Sequence, residues 1–380
     1  MLNQSNRNPW KLSVLAILGA GLFFQFKILI ETWQSGGHMW LQGDWLVSLA
    51  AGPIRRGAFG EAFLAIADAF GVSPLDAVVL VQGLVVLALF LGFARLVSAQ
   101  SQSVMVLAVL SPGIFAILWS IDPISALRKE MIGLVALIWL ALPGGGMGRL
   151  IASGALMVAG GLGHEIMILM MPAWLVATWL FLPELLAKRA GQVVVATVFF
   201  LGFAEGLYAL KFANLADASP ICAALTERGM AGSPICDGAI AWLADPENGP
   251  DKVVAALQRS WTVWLLPIAW LVASAPLLRL WSASSCKRKH AGWLILASIA
   301  PICLLYLVGL DWGRWFAVQI TIAATLMLGL GLRGNLVPVR QISSRERTIW
   351  LVSALSWGFL HDPIITTRGF FVQLVDLLKF

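Results

Sequence analysis

Residues 75–98 read LDAVVLVQGLVVLALFLGFARLVS, an apolar run whose charged side chains, Asp76 and Arg95, lie near its two ends. A bilayer core of about 30 Å requires roughly 20 apolar residues in a helix, so this run is long enough to span a membrane. The whole chain is similar, because 59% of its 380 residues are hydrophobic and only 12% are charged. Such a chain could not cover a water-facing surface with polar groups. The composition therefore excludes a cytosolic enzyme, a disordered protein and a secreted disulfide scaffold, and it predicts a polytopic membrane protein.

Similar apolar runs recur on both sides of this segment, so we expect an all-α, polytopic transmembrane helical bundle. The other predicted spans are 11–31, 103–120, 130–143, 148–163, 165–183, 191–211, 260–279, 291–310, 315–332 and 348–360. A final run, 364–380, contains Asp376 and Lys379 and is either an interfacial helix or a further span. These runs predict about 11–12 spans in one transmembrane domain, residues 1–380.

The distribution of basic residues predicts the orientation. With a cytoplasmic N-terminus, the inside loops hold most of the basic residues against two acids, Glu184 and Glu346, as the positive-inside rule requires. These basic residues are Arg7, Lys11, Arg95, Arg149, Lys188, Arg189, Arg279, Lys287, Arg288, Lys289, Arg333, Arg340, Arg345 and Arg347. The formal net charge of +6 thus reflects topology, and we expect no nucleic-acid partner. The first run is too long for a signal peptide and lacks an A-x-A site, so we expect it to be a retained span.

The predicted outer side has a first loop with an interfacial helix and, later in the chain, one long hydrophilic loop. Residues 32–74 form the first outer loop, in which 54–70 can form an amphipathic interfacial helix after Gly52-Pro53. Residues 212–259 form a long periplasmic loop that holds Cys222 and Cys236. A disulfide between them would close a loop of about 15 residues and stabilise it by roughly 3 kcal/mol. The alternative is that they are two unrelated thiols.

The ionisable residues that invite a functional hypothesis all fall at the predicted outer interface. They are Asp44, Arg55, Arg56, Glu61, Asp122, Arg128, Lys129, Glu130, His164, Glu165, Glu205, Asp311, Arg314, His361, Asp362 and Arg368. The predicted inside loops, by contrast, carry mainly isolated positive charges. A site for chemistry is therefore expected on the outer side.

Two strings contain adjacent basic residues. Arg55 and Arg56, beside Gly57, offer forked donors that suit phosphate or pyrophosphate; the alternative is snorkelling, or pairing with Asp44 and Glu61. Arg128 and Lys129, in DPISALRKE (122–130), are either a second anion-binding group or partners in a salt bridge to Asp122 or Glu130.

Two further strings contain candidate acids and bases. His164 and Glu165, in GLGHEIMILMMP (161–172), could supply a general base or could serve helix capping and packing. A zinc-protease motif would need His at position 168, which is Ile168, so we expect no metal and no cofactor.

In LDWGRWF (310–316), the spacing of Asp311 and Arg314 puts both on one helix face. Trp312 and Trp315 beside them suit sugar stacking, or they belong to an aromatic belt.

GDWLVSLAAGPIRRGAFGE (43–61), the His164-Glu165 pair and DWGRW (311–315) together resemble membrane proteins of bacterial capsule, O-antigen and exopolysaccharide loci. These proteins are polysaccharide polymerases and GT-C-like glycosyltransferases. The resemblance covers about a fifth of the chain in scattered pieces. It implies that Asp44 is the catalytic base and that Arg55, Arg56 and Arg314 hold the lipid pyrophosphate. The large C-terminal periplasmic domain usual in GT-C enzymes is missing from this pattern.

These features lead to the hypothesis of a multi-pass enzyme of the bacterial inner membrane. It would transfer sugar from a polyprenyl-phosphate or -pyrophosphate donor to a glycan acceptor at the periplasmic face, with inversion and without a metal. Asp44, Glu165 or Asp311 would be the base, with His164 nearby, and Arg128 and Lys129 would add anion-binding groups. Membrane lipid and other polysaccharide-assembly proteins are the remaining expected partners. The alternatives are a transporter or flippase of a lipid-linked or anionic substrate, and an outer-face acyltransferase.

Overall fold

The computed structural model describes residues 9–114, 122, 127–245, 249–259, 261–360, 365–366, 369–370, 372 and 375. It is mostly helical, at 74%, with almost no strand. Its α-helices are α1 Pro9–Gln34, α2 Gly57–Phe70, α3 Pro74–Ser98, α4 Met131–Ala141, α5 Met147–Gly163, α6 Ile166–Phe181, α7 Pro183–Leu186, α8 Arg189–Lys211, α9 Ser219–Leu225, α10 Pro250–Arg259, α11 Leu266–Ser282, α12 Ala291–Ile299, α13 Trp312–Leu332 and α14 Ser344–Ser356. The predicted helical class is confirmed.

Five helices are long and apolar enough to cross a membrane by length and composition. They are Pro9–Gln34, Pro74–Ser98, Arg189–Lys211, Val263–Ser282 and Trp312–Leu332. α4, α5, α6 and the segment Ala291–Leu307 are shorter apolar helices. The prediction of a membrane protein therefore has structural support at this coarser level. The predicted number of spans and their orientation stay predictions.

Segment 103–120 differs from the expected continuous span. A buried 3-10 helix covers Ser103–Val109, and the backbone from residue 110 to 114 is not helical. The cause lies in Ser111-Pro112-Gly113, because proline disfavours the α conformation in the residue before it and lacks a backbone donor. The Ser111 hydroxyl instead donates to the Ala273 carbonyl oxygen at 2.7 Å and accepts from the Gly113 N–H at 3.1 Å.

The C-terminal region also differs from the prediction. The helix expected at 348–360 begins earlier, at Ser344, because Ser343 and Glu346 form a capping box, and it ends at Ser356. Two short strands follow, β3 Gly358–Phe359 and β4 Ile365–Thr366, and they pair antiparallel. Most of 364–380 lies outside the described residues.

The centre of the bundle is built from α4 and α13. In α13, 83% of the most apolar stretch of 18 residues is buried, and nearly every residue of α4 is buried as well. α1, α3, α5, α6 and α8 pack outward from this centre, and α8 is the most exposed of the five long helices, at 11% buried. A helix that is apolar on every side and mostly exposed is what a lipid-facing position requires.

Basic residues from distant parts of the chain meet at one end of the bundle, which we call the basic end. There the Arg333 guanidinium donates to the Ala141 carbonyl oxygen at 2.7 Å, and Arg279 pairs with Glu346 at 2.6 Å. Strand β1 Ser284–Cys286 pairs antiparallel with β2 Leu336–Pro338 at the same end. These segments are the ones predicted to form the inside loops, and they share one end of the bundle.

The two loops predicted to lie outside pack on each other at the opposite end. The Ala239 N–H donates to the Met39 carbonyl oxygen at 3.1 Å, and the Arg55 N–H donates to that of Phe212 at 2.8 Å. The region 212–245 contains short helical turns and the Cys222–Cys236 disulfide, so the predicted pairing of these cysteines is confirmed. The first helix of the outer loop, α2, begins at Gly57, three residues later than expected.

Candidate functional site

Four distant segments bring their charged side chains together at the end of the bundle opposite the basic end. We call this group the charged end. Its members are Asp44, Arg55, Arg56, Arg128, Lys129, Glu130, His164, Glu165, Asp311 and Arg314. All candidate site residues other than the two tryptophans belong to it. His361, Asp362 and Arg368 lie outside the described residues.

Glu165 is the anionic centre of this group. It lies between α5 and α6, and its carboxylate accepts from Arg55 Nη1 at 3.1 Å and from Arg56 Nε at 2.8 Å. Arg56 Nη2 contacts the same carboxylate. The remaining nitrogen, Arg56 Nη1, donates to Asp44 Oδ1 at 3.2 Å. Arg56 therefore bridges two carboxylates, one of which belongs to its own loop.

Pairing of the arginines, the structural alternative to phosphate binding, is thus observed in part. Asp44 is a partner as expected, but Glu61 is not: its carboxylate accepts instead from the Leu49 N–H at 3.3 Å. The main partner, Glu165, lies more than a hundred residues away in the chain. A forked guanidinium that binds a carboxylate in two places is also shaped to bind a phosphate.

Lys129 is fully buried. Its ammonium group donates to the Gly163 carbonyl oxygen at 2.9 Å and lies 4.0 Å from Asp44 Oδ2. The structural alternative for Lys129, a salt bridge, is therefore observed, with Asp44 as its partner. Burial lowers the pKa of Lys129 to about 8, although Asp44 opposes this shift. A lysine with such a pKa is still mostly charged at neutral pH.

Asp44 and Glu165 stay ionised because cations surround them. Burial raises the pKa of Asp44, but Lys129, Arg56 and Arg128 outweigh it and hold that pKa below its ordinary value. The pKa of Glu165 is likewise held well below its ordinary value, since Arg56 outweighs burial. Neither carboxylate is therefore a strong base in the present arrangement.

His164 is a neutral, buried imidazole. Burial, with Arg56 nearby, lowers its pKa well below the ordinary value. Its Nδ1 accepts from the Ile166 N–H at 3.2 Å, which puts the proton of a neutral ring on Nε2. Among the residues that the structure describes, Nε2 is buried without a hydrogen-bond partner. The capping contact supports the structural interpretation of His164 more than the catalytic one.

A second group of charges surrounds Arg314, in the first turn of α13. Arg314 Nε lies 3.3 Å from Glu130 Oε1, and its Nη2 donates to Asp311, the residue predicted to lie on the same helix face. Arg128 donates to the Trp40 carbonyl oxygen at 2.5 Å and lies close enough to Asp44 and Asp311 for electrostatic interaction. The two groups of charges therefore form one network.

Trp312 and Trp315 both pack against Tyr306. The ring centroids lie 5.9 Å and 5.7 Å from that of Tyr306, and the indole N–H of Trp312 donates to the Gly309 carbonyl oxygen at 2.7 Å. Trp315 is only 6% exposed. Packing is the role that these contacts show, and sugar stacking stays a prediction for the half-buried Trp312.

The backbone is strained at two positions of the charged end. Arg56 and Leu127 have φ of 67° and 59°, in the left-handed region that L residues with a β-carbon rarely adopt. Arg56 directly precedes α2, and Leu127 precedes Arg128 and Lys129. Such strain costs of order 1–3 kcal/mol at each position and is concentrated at functional sites.

A cavity of about 260 Å³ opens beside the arginines, between the first outer loop, α5 and α8. Arg55, Arg56, Glu165, Glu205 and Tyr208 contribute its polar lining. Asp44, Lys129, His164 and Arg314 are not among its lining residues. Arg55, Arg56 and Glu165 are therefore the members of the charged end that border this space, in which a small group could bind.

Glu205 is one of the ionisable residues at the predicted outer interface, but the sequence predicts no specific catalytic or binding role for it. An acid within an apolar helix is nevertheless a recognised signal of function. Its carboxylate lies against Gly161 of α5: a β-carbon at that glycine would come within 1.9 Å of Glu205 Oε2. Among the described residues, Glu205 Oε2 is buried without a hydrogen-bond partner. It is the unpaired acid of the cavity, whereas Glu165 is paired twice.

The described residues contain no group of three or more His, Cys, Asp or Glu side chains that could hold a metal ion. The arrangement offers instead two forked cations, a paired carboxylate and an unpaired carboxylate around one small space. It can bind an anionic group by exchange with Glu165 and can accept a proton at Glu205. Comparison with protein-family models, with curated proteins and with solved structures finds no match to this chain.

Proposed function

We propose that the chain is a membrane enzyme that transfers a sugar from a polyprenyl-phosphate or -pyrophosphate donor to a glycan hydroxyl, in surface polysaccharide biosynthesis. The observation that carries the proposal is the cavity beside Arg55 and Arg56, which combines two guanidinium groups with a paired and an unpaired carboxylate. It adjoins the exposed apolar helix α8, which gives a lipid chain a route along the bundle surface.

Arg55 and Arg56 are the groups proposed to hold the phosphate. They now share Glu165, and a phosphate that enters the cavity would replace this carboxylate on one of them. Binding would then be an exchange of one anion for another, with little net desolvation of the arginines. Arg56 would keep its bond to Asp44, so Asp44 and Lys129 are proposed as positioning residues and not as catalytic ones.

Glu205 is proposed as the base, in place of the acids that the sequence favoured. Asp44 is 1% exposed, and Asp311 is bonded to Arg314, whereas Glu205 borders the cavity without a partner. The acceptor hydroxyl oxygen would bond to the anomeric carbon as the bond from that carbon to the phosphate oxygen breaks. The hydroxyl proton would pass to Glu205, and the electron pair would remain on the leaving phosphate beside the arginines, with inversion at carbon.

The transporter alternative receives less support from the position of the charges. Sites of secondary transporters lie near the middle of the bilayer, where helices are broken. Here the charged network joins helix ends and loops, at Asp44, Lys129, Glu165 and Arg314. A site at the end of a bundle is what chemistry at a membrane surface requires.

The test is mass spectrometry of polyprenyl-linked glycans from a source strain that lacks the gene. The strain is complemented with the wild type, with Arg55→Lys/Arg56→Lys, or with Arg228→Lys as a matched control. The Arg55–Arg56 site and Arg228 lie at the same end of the bundle, but Arg228 pairs with the exposed Asp68, away from the cavity. Lysine keeps the charge and loses the fork, so it preserves the ion pairs better than alanine does.

We expect the double variant, and not the control, to fail to restore the wild-type glycan pool. An accumulated single repeat unit would indicate a polymerase, and a glycan shortened by one sugar would indicate a monosaccharide transferase. A glycan pool that does not change on deletion of the gene would refute the proposal and favour the transporter or acyltransferase alternatives.

A further inference from the structure

A second, larger cavity lies between α11, α12 and α13, with a volume of about 670 Å³. Its walls are almost entirely apolar and include Leu277, Ile295 and Ala323. It extends to the bundle surface, because its rim residues Leu278 and Trp293 are 56% and 74% exposed. This feature is therefore an apolar groove on the side of the bundle and not an enclosed core cavity.

One end of the groove is basic. Arg288, Lys289 and His290 line it there, and none of its described lining residues is acidic. Arg288 lies over the ring of Trp179, with 5.8 Å between the guanidinium carbon and the ring centroid. The adjacent Lys287 N–H donates to the Asn335 carbonyl oxygen at 2.8 Å, which fixes this rim at the basic end of the bundle.

The groove has the length and the chemistry of a site for a lipid. Its lining runs along α11 from Trp270 to Trp281, a length of about 16 Å at the helical rise of roughly 1.5 Å per residue. An extended hydrocarbon chain can lie along this apolar wall, and the basic rim at its end suits an anionic headgroup.

We propose that this groove binds an anionic phospholipid of the bilayer, with its phosphate between Arg288 and Lys289 and an acyl chain along the apolar wall. Basic pockets between helices at the cytoplasmic end are the arrangement that binds anionic headgroups. The rim is at the end opposite the proposed transfer site, so its occupant is distinct from a donor whose phosphate reaches Arg55. The inference therefore does not depend on the proposed function.

The test uses the full chain, purified in a neutral detergent, and native mass spectrometry with two added lipids of identical acyl chains, phosphatidylglycerol and phosphatidylcholine. Arg288→Ala/Lys289→Ala is compared with Arg340→Ala/Arg345→Ala. The control removes the same charge from the same end of the bundle, from two exposed residues that do not line the groove. Unfolding temperature and elution volume of each variant report whether it is folded.

We expect phosphatidylglycerol to bind the wild type and the control alike, and the groove variant roughly 30-fold less tightly, as loss of two basic residues near a lipid headgroup implies. Equal losses in both variants would overturn the proposal, as would equal binding of phosphatidylcholine by the wild type. Failure of the wild type to bind phosphatidylglycerol would likewise show that the occupant named here is wrong.

A second measurement covers the case in which the groove variant does not fold. A photoactivatable phosphatidylglycerol with the reactive group in its acyl chain is cross-linked to the wild-type chain. Labelled peptides from 270–299 or 319–327 are the expected result. Labelling confined to α1 or α8, which are long apolar helices far from the groove in sequence, would overturn the proposal.

Discussion

Arg56 and Glu165 form a two-point ion pair, with 2.8 Å between Arg56 Nε and Glu165 Oε2 and a further contact from Nη2. It joins the start of α2 to the junction of α5 and α6. The Arg56 side chain is 20% exposed and that of Glu165 is 21% exposed, so both charges are largely removed from water. The first outer loop is therefore fastened to the bundle by an interaction that depends on both partners.

Removal of Glu165 should destabilise the fold more than removal of an exposed acid. Glu165→Ala would leave the two arginines without their main counter-charge, and the loss of one partner of a buried pair costs about 3–5 kcal/mol. Asp68→Ala is the matched control: it also removes an acid bonded to an arginine, Arg228, but the Asp68 side chain is 55% exposed, so its removal should destabilise the fold far less. Thermal unfolding in one detergent compares the two. Equal shifts in unfolding temperature would contradict the structural role given to Glu165.

The free energy of unfolding should depend on pH in an acidic range and in an alkaline range, and each dependence has an identifiable cause. The pKa values of Asp44 and Glu165 are lower in the folded protein than their ordinary values of 3.8 and 4.5. Their contribution is therefore present above about pH 4.5 and is lost as the pH falls through the folded values. The unfolding temperature should decrease below about pH 4.5.

The free energy of unfolding should also rise with pH in an alkaline range. Burial lowers the pKa of Lys129 from 10.5 to about 8, so between these values the unfolded chain binds a proton that the folded chain does not. The contribution of Lys129 to stability therefore rises from pH 8 to 10.5. The difference in unfolding temperature between the wild type and Lys129→Met should change over that interval and stay constant from pH 5 to 7. A difference that is flat from pH 7 to 11 would show that the Lys129 pKa is not lowered.

The ends of several helices could be predicted to within a few residues, because local signals define them. Ser73 and Pro74 begin α3, and the apolar run after them continues to Ser98 without a break, so the predicted span 75–98 matches closely. The expectation of a continuous helical span at 103–120 was wrong for an equally local reason, since Pro112 and Gly113 interrupt an otherwise apolar run. The average hydrophobicity of a segment does not respond to two such residues.

Partners across the bundle could not be predicted. The sequence places Lys129 next to Glu130, yet Lys129 contacts Asp44 and Glu130 contacts Arg314. Which acid a buried cation meets depends on how α4 and α13 pack, and no local pattern encodes this. Glu205 illustrates the same limit, because its significance depends on the cavity and on the close approach of Gly161 across two helices.

The disulfide gives a direct test of the structure of the long loop. Cys222 and Cys236 are bonded, whereas Cys286 and Cys303 are free thiols. After denaturation without reductant, a maleimide should add to two sites, Cys286 and Cys303, and after reduction to all four. Cys222→Ser should lower the stability by about 3 kcal/mol, given a closed loop of this length. Cys286→Ser is the control, and addition to four sites before reduction would contradict the bond.

Glu205→Gln should affect the rate of the proposed transfer and leave binding unchanged. The amide keeps the size of the side chain and cannot accept the acceptor's proton, so kcat should fall by about 10²–10⁴ with KM little changed. The assay uses the purified protein and the donor identified from the glycan pools. Glu61→Gln is the matched control, because Glu61 lies in α2 at the same end but does not line the cavity. Equal rates in the wild type and Glu205→Gln would remove Glu205 from the mechanism.

Gly161→Ala should separate the position of Glu205 from the stability of the fold. A β-carbon at residue 161 would lie 1.9 Å from Glu205 Oε2, and the end of a flexible side chain can move away at little cost to folding. Alanine also favours a helix by about 1 kcal/mol over glycine, so the variant should unfold no more easily than the wild type. Its transfer rate should nevertheless fall, since Glu205 would leave its present place in the cavity. Gly148→Ala, in the same helix with no atom within 4 Å of the added carbon, should gain similar stability and keep the full rate. Full activity in Gly161→Ala would mean that the contact between Glu205 and Gly161 has no part in catalysis, whatever Glu205→Gln shows.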